Sequence, residues 1–380
     1  MRGSVRFDTG PLGRGPDGCG TLFADPVAVI RADTPDQVSD AFAAIEAARR
    51  DGLWLAGCFS YELGYALTPK LAPLMPARRD MPLILMGIYD APRPAPPLPA
   101  PGRARIGTPD PLWDRATYDA AIARVHAYIE AGDCYQINLT FPMEATCDGT
   151  PEQIYAALAA RQPVGEGALV MLGDTPILSR SPELFFTVDA DRMIATRPMK
   201  GTRARHVASL EDEAAVEALK TSEKDLAENL MIVDLLRNDI SRVCRAGSVH
   251  VPQLFAVETY TTVHQMVSTV RGELAEDAGL TEIVRALFPC GSITGAPKVR
   301  AMEIISELES GPRDIYCGAI GWADPDGPMR FNVAIRSPVM TAPGRLRLNV
   351  GGGIVNDSRA EGEWDEALWK ARFANLSPTG

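Results

Sequence analysis

The chain has 380 residues, 46% apolar and 23% charged. That balance suits a soluble globular protein with material for a sizeable core, arranged as two or three domains or one large one. The net charge of −11 argues against nucleic acid or an anionic membrane surface as the main partner. No apolar run reaches the roughly 18 residues of a membrane helix, and residues 1–8 carry no apolar signal segment. Seven widely spread cysteines read as reduced thiols, so a cytoplasmic protein is expected. No CxxC pair is present, and His126, His206, His250 and His264 lack zinc spacing, which argues against a structural zinc site.

In chain order, a helix is predicted over 35–50, with Pro35 in its first turn after Thr34 and Gly52 at its stop. A strand follows over 53–62. Residues 91–101 are proline-rich and can form neither helix nor central strand, because proline lacks the donor and fixes φ. They read as an extended connection between a small N-terminal part, 1–105, and a large C-terminal part, 106–380, or alternatively as a long loop within one domain. Tyr118, Ile122, Val125 and Ile129 fall at helical spacing, and Gly132 ends that helix. In the next strand Tyr135, Ile137, Leu139 and Phe141 share one face. Gln136, Asn138 and Thr140 point the other way, towards solvent or a polar cavity. Strands and helices then alternate irregularly, which favours an α+β fold with large antiparallel sheets over a doubly wound one.

Four segments carry chemistry. A helix starting near Glu223, capped by Thr221 or Ser222, places Asp225 and Glu228 three apart on one face. Near the C-terminus Glu363 and Glu366 repeat that spacing, with Lys370 one turn later, after the run Gly351-Gly352-Gly353, whose amides can approach a ligand closely. Taken alone, each acidic pair also suits a solvated helix face. If the two pairs converge, four carboxylates cannot all stay charged without a cation, and an all-oxygen set selects Mg²⁺. The loop Gly291-Ser-Ile-Thr-Gly-Ala-Pro-Lys298 feeds a helix start, a place where free N–H groups bind anions and Lys298 adds charge. It is not a phosphate-binding Walker loop, because Lys298 does not directly follow Gly295. Lys200 lies between Arg197 and Arg203, with Arg205 beyond. Like charges and burial both favour the neutral amine that a nucleophile needs, although a plain anion-binding loop fits the same residues.

These segments together resemble the chorismate-utilising enzymes, which include anthranilate, isochorismate, salicylate and aminodeoxychorismate synthases. The resemblance runs from about Asp114 to Phe373. It rests on motifs in family order: Ser181-Pro-Glu183, residues 196–202, Glu228 to Asp239, Gly291 to Lys298, residues 313–321, Asn332-Val-Ala-Ile-Arg336 and the glycine-rich end. It implies large antiparallel sheets packed as a sandwich with flanking helices. Anthranilate synthases typically have alanine where this chain has Lys200, whereas the aminodeoxychorismate branch has lysine, so the chain is more similar to that branch; the anthranilate-forming activity is the alternative. Where anthranilate synthases place a histidine this chain has Gln265, and His264 is expected to be structural.

The resemblance further implies a reaction in the 4-aminobenzoate branch of folate biosynthesis. Chorismate would be held by Mg²⁺, Ser292, Thr294, Tyr316, Arg336, Lys370 and the amides of Gly351, Gly352 and Gly353. Lys200 would attack ring carbon C2 with Glu183 as general acid, and ammonia would then add at C4. Glu228 and Glu366 would ligate the metal directly, Asp225 and Glu363 through water. No G-x-C-x-G elbow surrounds any cysteine, so ammonia is expected from a separate glutamine amidotransferase subunit. With little chain after the matched region, the fused lyase domain that some relatives carry is not expected.

Overall fold

The computed structural model describes residues 3–14, 19–260 and 263–376. Its helices are α1 (Val38–Arg50), α2 (Leu63–Leu67), α3 (Arg115–Glu130), α4 (Pro151–Arg161), α5 (Ser209–Thr221), α6 (Glu223–Ser241), α7 (Leu280–Leu287), α8 (Lys298–Leu308) and α9 (Ala360–Ala371). None of them is long and apolar enough to cross a membrane. All seven cysteines are free.

The strands form two antiparallel sheets, one of 11 strands and one of 10, the sandwich expected from the sequence. In the larger sheet the long strand Gln136–Asp148 pairs with Arg345–Ile354. In the smaller one Met199–Ala204 and His250–Thr259 both pair with Val263–Glu273. Strands from before residue 105 enter both sheets: Ser4–Phe7 pairs with Ala168–Met171, and Trp54–Phe59 with Ala319–Ala323. The proline-rich stretch runs mostly exposed, with only Arg93–Pro94 joining a sheet edge.

Period-two alternation explains how one strand serves two cores. Along Trp54–Phe59, Ala56 and Cys58 face Val5, Phe23, Val170 and Ile320 between the sheets. Leu55 and Phe59 face outward to the core under α1, α6 and α7. On the other side α3, α4, α8 and α9 cover the larger sheet. There Trp364 of α9 stacks on Phe141 with ring centres 4.9 Å apart, and Tyr118 of α3 lies 5.0 Å from Trp364. Such aromatic pairs add about 0.5–1.5 kcal/mol each beyond area burial, and they hold α9 against α3 and the larger sheet.

One local expectation changes, and one is decided between its two alternatives. Ile137, Leu139 and Phe141 are fully buried, but Tyr135 precedes the strand and is exposed. Gln136, Asn138 and Thr140 face a buried polar interior rather than solvent. Both faces of this long strand are covered, so alternation there separates two buried environments.

Candidate active site

The two acidic pairs sit on the two helices that the sequence places them on. Ser222 caps α6 by accepting from the Asp225 amide at 3.2 Å, and Ile232, Val233, Leu236 and Ile240 bury its apolar face. Asp225 accepts from Arg203 at 2.8 Å. Burial pushes the Glu228 carboxyl above its usual range, opposed by Lys200 and Lys224. On α9, Glu363 accepts from the Ser358 hydroxyl at 2.7 Å. Lys370 lies 2.8 Å from Glu366 and holds that carboxyl below its usual range. Lys370 also donates to the Gly351 carbonyl at 2.9 Å. Glu363 acts electrostatically on Glu228, and Lys200 on both Glu228 and Glu366, so the helices face one cleft. Lys224 lies 3.9 Å from Glu228 and 3.7 Å from Asp357, bridging α6 to the turn before α9.

Gly351, Gly352 and Gly353 lie within a strand, opposite Thr140, Leu139 and Asn138. A Cβ at Gly352 would come within 3.1 Å of Glu363 Oε2 and 3.5 Å of Lys370 Nζ. The bare backbone thus leaves room beside the carboxylates.

Glu183 is buried and accepts from Ser292 at 2.8 Å. Burial pushes its carboxyl up, against the pull of Ser292, Lys200 and Arg336. Burial likewise pushes the Arg336 guanidinium down while Glu183 pulls it up. Arg336 takes a left-handed φ of 49°, a conformation that costs a non-glycine residue about 1–3 kcal/mol and recurs at functional sites. Tyr316 is buried, which raises its phenol well above normal. The Thr294 hydroxyl turns back on its own loop, donating to Cys290 and Gly291 carbonyls at 3.2 Å. That loop is braced by the buried pair Arg313–Glu309 at 2.7 Å. Arg313 also donates to the carbonyls of Ile293 at 3.0 Å and Asn138 at 2.6 Å.

Two electrostatic expectations are corrected. Lys298 does not add free charge to the loop: it lies 2.6 Å from Asp239 and donates to the Leu287 carbonyl. The arginines around Lys200 do not form a like-charge cluster. Arg197 pairs with Glu258, Arg203 with Asp225 and Arg205 with Asp212, while carboxylates of Glu183, Glu228 and Glu366 surround the amine at longer range. His264 is buried between Asp212 and Thr259, 2.9 Å from each, the structural role expected of it.

Sequence reasoning missed Lys224 and gave Gln136 no role. Gln136 is fully buried, neither side-chain atom has a partner among the described residues, and a Cβ on Gly353 would lie 2.9 Å from its Nε2. An amide on the polar face of a strand whose other face is apolar was the available signal.

Among the described residues no three acidic, thiol or imidazole groups converge closely enough to hold a metal by themselves. The donor chemistry still fits Mg²⁺, which keeps several waters and is often bound by one or two carboxylates plus substrate oxygens. Glu228 and Glu366, on helices that face one cleft, are carboxylates of that chemical kind.

A family model described as chorismate binding enzyme matches residues 11–375, so the likeness begins well before Asp114. An aminodeoxychorismate synthase of Streptomyces griseus is 44% identical over 278 residues, 72% of this chain and 38% of that protein. Aminodeoxychorismate synthase component 1 of Escherichia coli is 45% identical over 256 residues, 67% of this chain and 56% of that protein. The matched region thus spans about half or less of these relatives. Anthranilate synthase component I of Streptococcus pneumoniae superposes with a TM-score of 0.80, covering 94% of this chain and 92% of that one at 24% identity. At that identity the likeness establishes the fold.

Proposed function

The chain belongs to the chorismate binding enzymes, and from that premise we propose that it converts chorismate and ammonia to 4-amino-4-deoxychorismate, as component I of an aminodeoxychorismate synthase in the 4-aminobenzoate branch of folate synthesis. The observation that carries this reading is Lys200. It is half-buried and faces the same cleft as Glu183, Glu228 and Glu366, in a family where lysine at this position marks the aminodeoxychorismate branch. The relatives bearing that name support it.

The residues divide the work. Arg336, Lys370 and the Gly351–353 backbone hold the carboxylates of a dianionic substrate. Glu228 and Glu366 would hold Mg²⁺, with Asp225 and Glu363 acting through water. The ion would orient and neutralise those same carboxylates. The neutral Lys200 amine bonds through Nζ to C2 and becomes an ammonium. The two conjugated ring double bonds shift, the C4–O bond breaks, and Glu183 protonates the departing hydroxyl, which leaves as water. A buried carboxyl with raised proton affinity suits that donor role. Ammonia then bonds to C4, the two double bonds shift back, the C2–N bond breaks to return Lys200 as the neutral amine, and the new C4 ammonium gives its extra proton back to the Glu183 carboxylate. A separate glutamine amidotransferase subunit supplies the ammonia, and with its reduced thiols the protein works in the cytoplasm.

The test is product identification after incubating the chain with chorismate, ammonium and Mg²⁺. Aminodeoxychorismate is the expected product. Anthranilate would overturn the assignment in favour of the other branch, and glutamine-driven turnover by the chain alone would refute the separate ammonia source. Without ammonia, mass spectrometry should find a substrate-derived adduct on Lys200.

A further inference from the structure

The backbone presents Lys200 through an irregularity. Where Met199–Ala204 pairs with Val263–Glu273, Met199 faces Val267 and Thr202 faces Gln265. Lys200 and Gly201 therefore stand together against the single residue Met266. A two-against-one bulge bends a strand and re-aims its side chains. Gly201 carries the bend at φ 80°, and a Cβ there would come within 3.0 Å of Asp225.

A bulge leaves main-chain groups without ladder partners, and here a side chain meets them. Gln265 Nε2 donates to the Gly201 carbonyl at 2.9 Å. Thr202 Oγ1 donates to Gln265 Oε1, also at 2.9 Å. One amide thus grips both residues that follow Lys200, using its donor and its acceptor at once. Before Lys200, the Ser268 amide donates to the Pro198 carbonyl at 3.2 Å. The next-door His264 turns to the opposite side of the strand, to Asp212 and Thr259.

We propose that Gln265 is a positioning residue for Lys200: its side-chain amide locks the Lys200–Gly201 bulge and so holds the amine towards the cleft between Glu183, Glu228 and Glu366. The proposal rests on the reading of Lys200 as nucleophile. In this scheme Gln265 bonds to the backbone after Lys200 and acts through that residue.

Two variants test it in the whole chain with chorismate, ammonium and Mg²⁺. Gln265→Ala removes both bonds and should lower kcat roughly ten- to hundredfold, the scale of a misplaced reacting group, while KM for chorismate moves by less than about threefold. Gln265→Glu keeps the shape but sets a carboxylate against the Gly201 carbonyl. Near neutral pH it should lose activity like the alanine variant. In acid, where the carboxyl gains a proton and donates again, its activity relative to wild type should recover. A merely space-filling role predicts no such recovery.

Wild-type kcat in Gln265→Ala, or in Gln265→Glu should the alanine variant fail to fold, overturns the proposal. So does a pH-independent loss in Gln265→Glu. Failure of the underlying reading looks different: Lys200→Ala would then turn over at the wild-type rate. In that case the lock is judged by acetylation of Lys200 with acetic anhydride, followed by peptide mass spectrometry. The rate should change at least about threefold in Gln265→Ala if the bulge is released, and an unchanged rate overturns the lock.

Discussion

The acidic pairs on α6 and α9 have the same spacing and opposite electrostatics. Glu228 is the more buried carboxylate, its side chain 19% exposed, and Lys224 stands 3.9 Å away. Burial dominates and raises its proton affinity. Glu366 is 57% exposed and lies 2.8 Å from Lys370. The cation dominates there and lowers the proton affinity. The outer members differ as well: Asp225 is tied to an arginine and Glu363 to a serine hydroxyl. An i, i+3 pattern reports a shared face. It does not report what the face meets, and that sets the charge each acid carries.

The largest expected effect tests what the two pairs have in common. Glu228→Gln or Glu366→Gln should each cut Mg²⁺-dependent turnover at least ~100-fold, because one charged oxygen donor is lost from a divided site. Circular dichroism should show the fold intact. Full turnover by either variant, or by wild type in excess chelator, would break the comparison by removing the metal from it.

Next come the outer acids. Asp225→Asn and Glu363→Gln should weaken Mg²⁺ binding about 10- to 100-fold, the range for groups that act on a metal through water. Titration calorimetry reads this directly. A loss as large as that of the inner pair would move the outer acids into direct ligation.

The pH dependence of Mg²⁺ affinity sharpens the contrast. The Glu228 carboxyl lies above its usual range and that of Glu366 below. As pH falls, Glu228 therefore takes up its proton first and affinity declines through its raised value, while Glu366 keeps its charge into stronger acid. Lys370→Met removes the cation beside Glu366. It should shift that residue's protonation towards neutral pH, so the two acidic steps merge. Titrations in a pH series distinguish one broad step from two.

The smallest effect is on stability. A carboxyl whose folded pKa is raised contributes stability that is present below the ordinary carboxylate range and is lost as pH rises through the raised value. Glu228→Gln should therefore stabilise the metal-free protein near neutral pH, by about 0.5 kcal/mol, with no gain in acid. Calorimetric Tm values at two pH values test this. Equal gains at both would show that packing, not charge, sets the cost of Glu228.

Local sequence was enough for much of the site. Helix α6 follows from its Ser222 cap and apolar content, and the three-residue spacing of Asp225/Glu228 and of Glu363/Glu366 put each pair on one face wherever α6 and α9 packed. Motif order from Ser181 to Lys370 pointed to the family, whose model matches residues 11–375. The antiparallel sheets were legible from irregular element order. The exposed Tyr135 was not, since the residue just before a strand can continue its alternation in sequence.

The arginines around Lys200 mark the limit of local reasoning. Their partners Glu258, Asp225 and Asp212 lie seven to 61 residues along the chain. Lys298 finds Asp239 across 59 residues, and Gln265 reaches Gly201 across 64. By itself the sequence determined which charges are near one another along the backbone, because helical and strand periodicities are local. Only the tertiary structure decided which of them are neutralised and which face the cleft, because electrostatic fields and hydrogen bonds depend on distance through space, and folding sets that distance independently of chain separation.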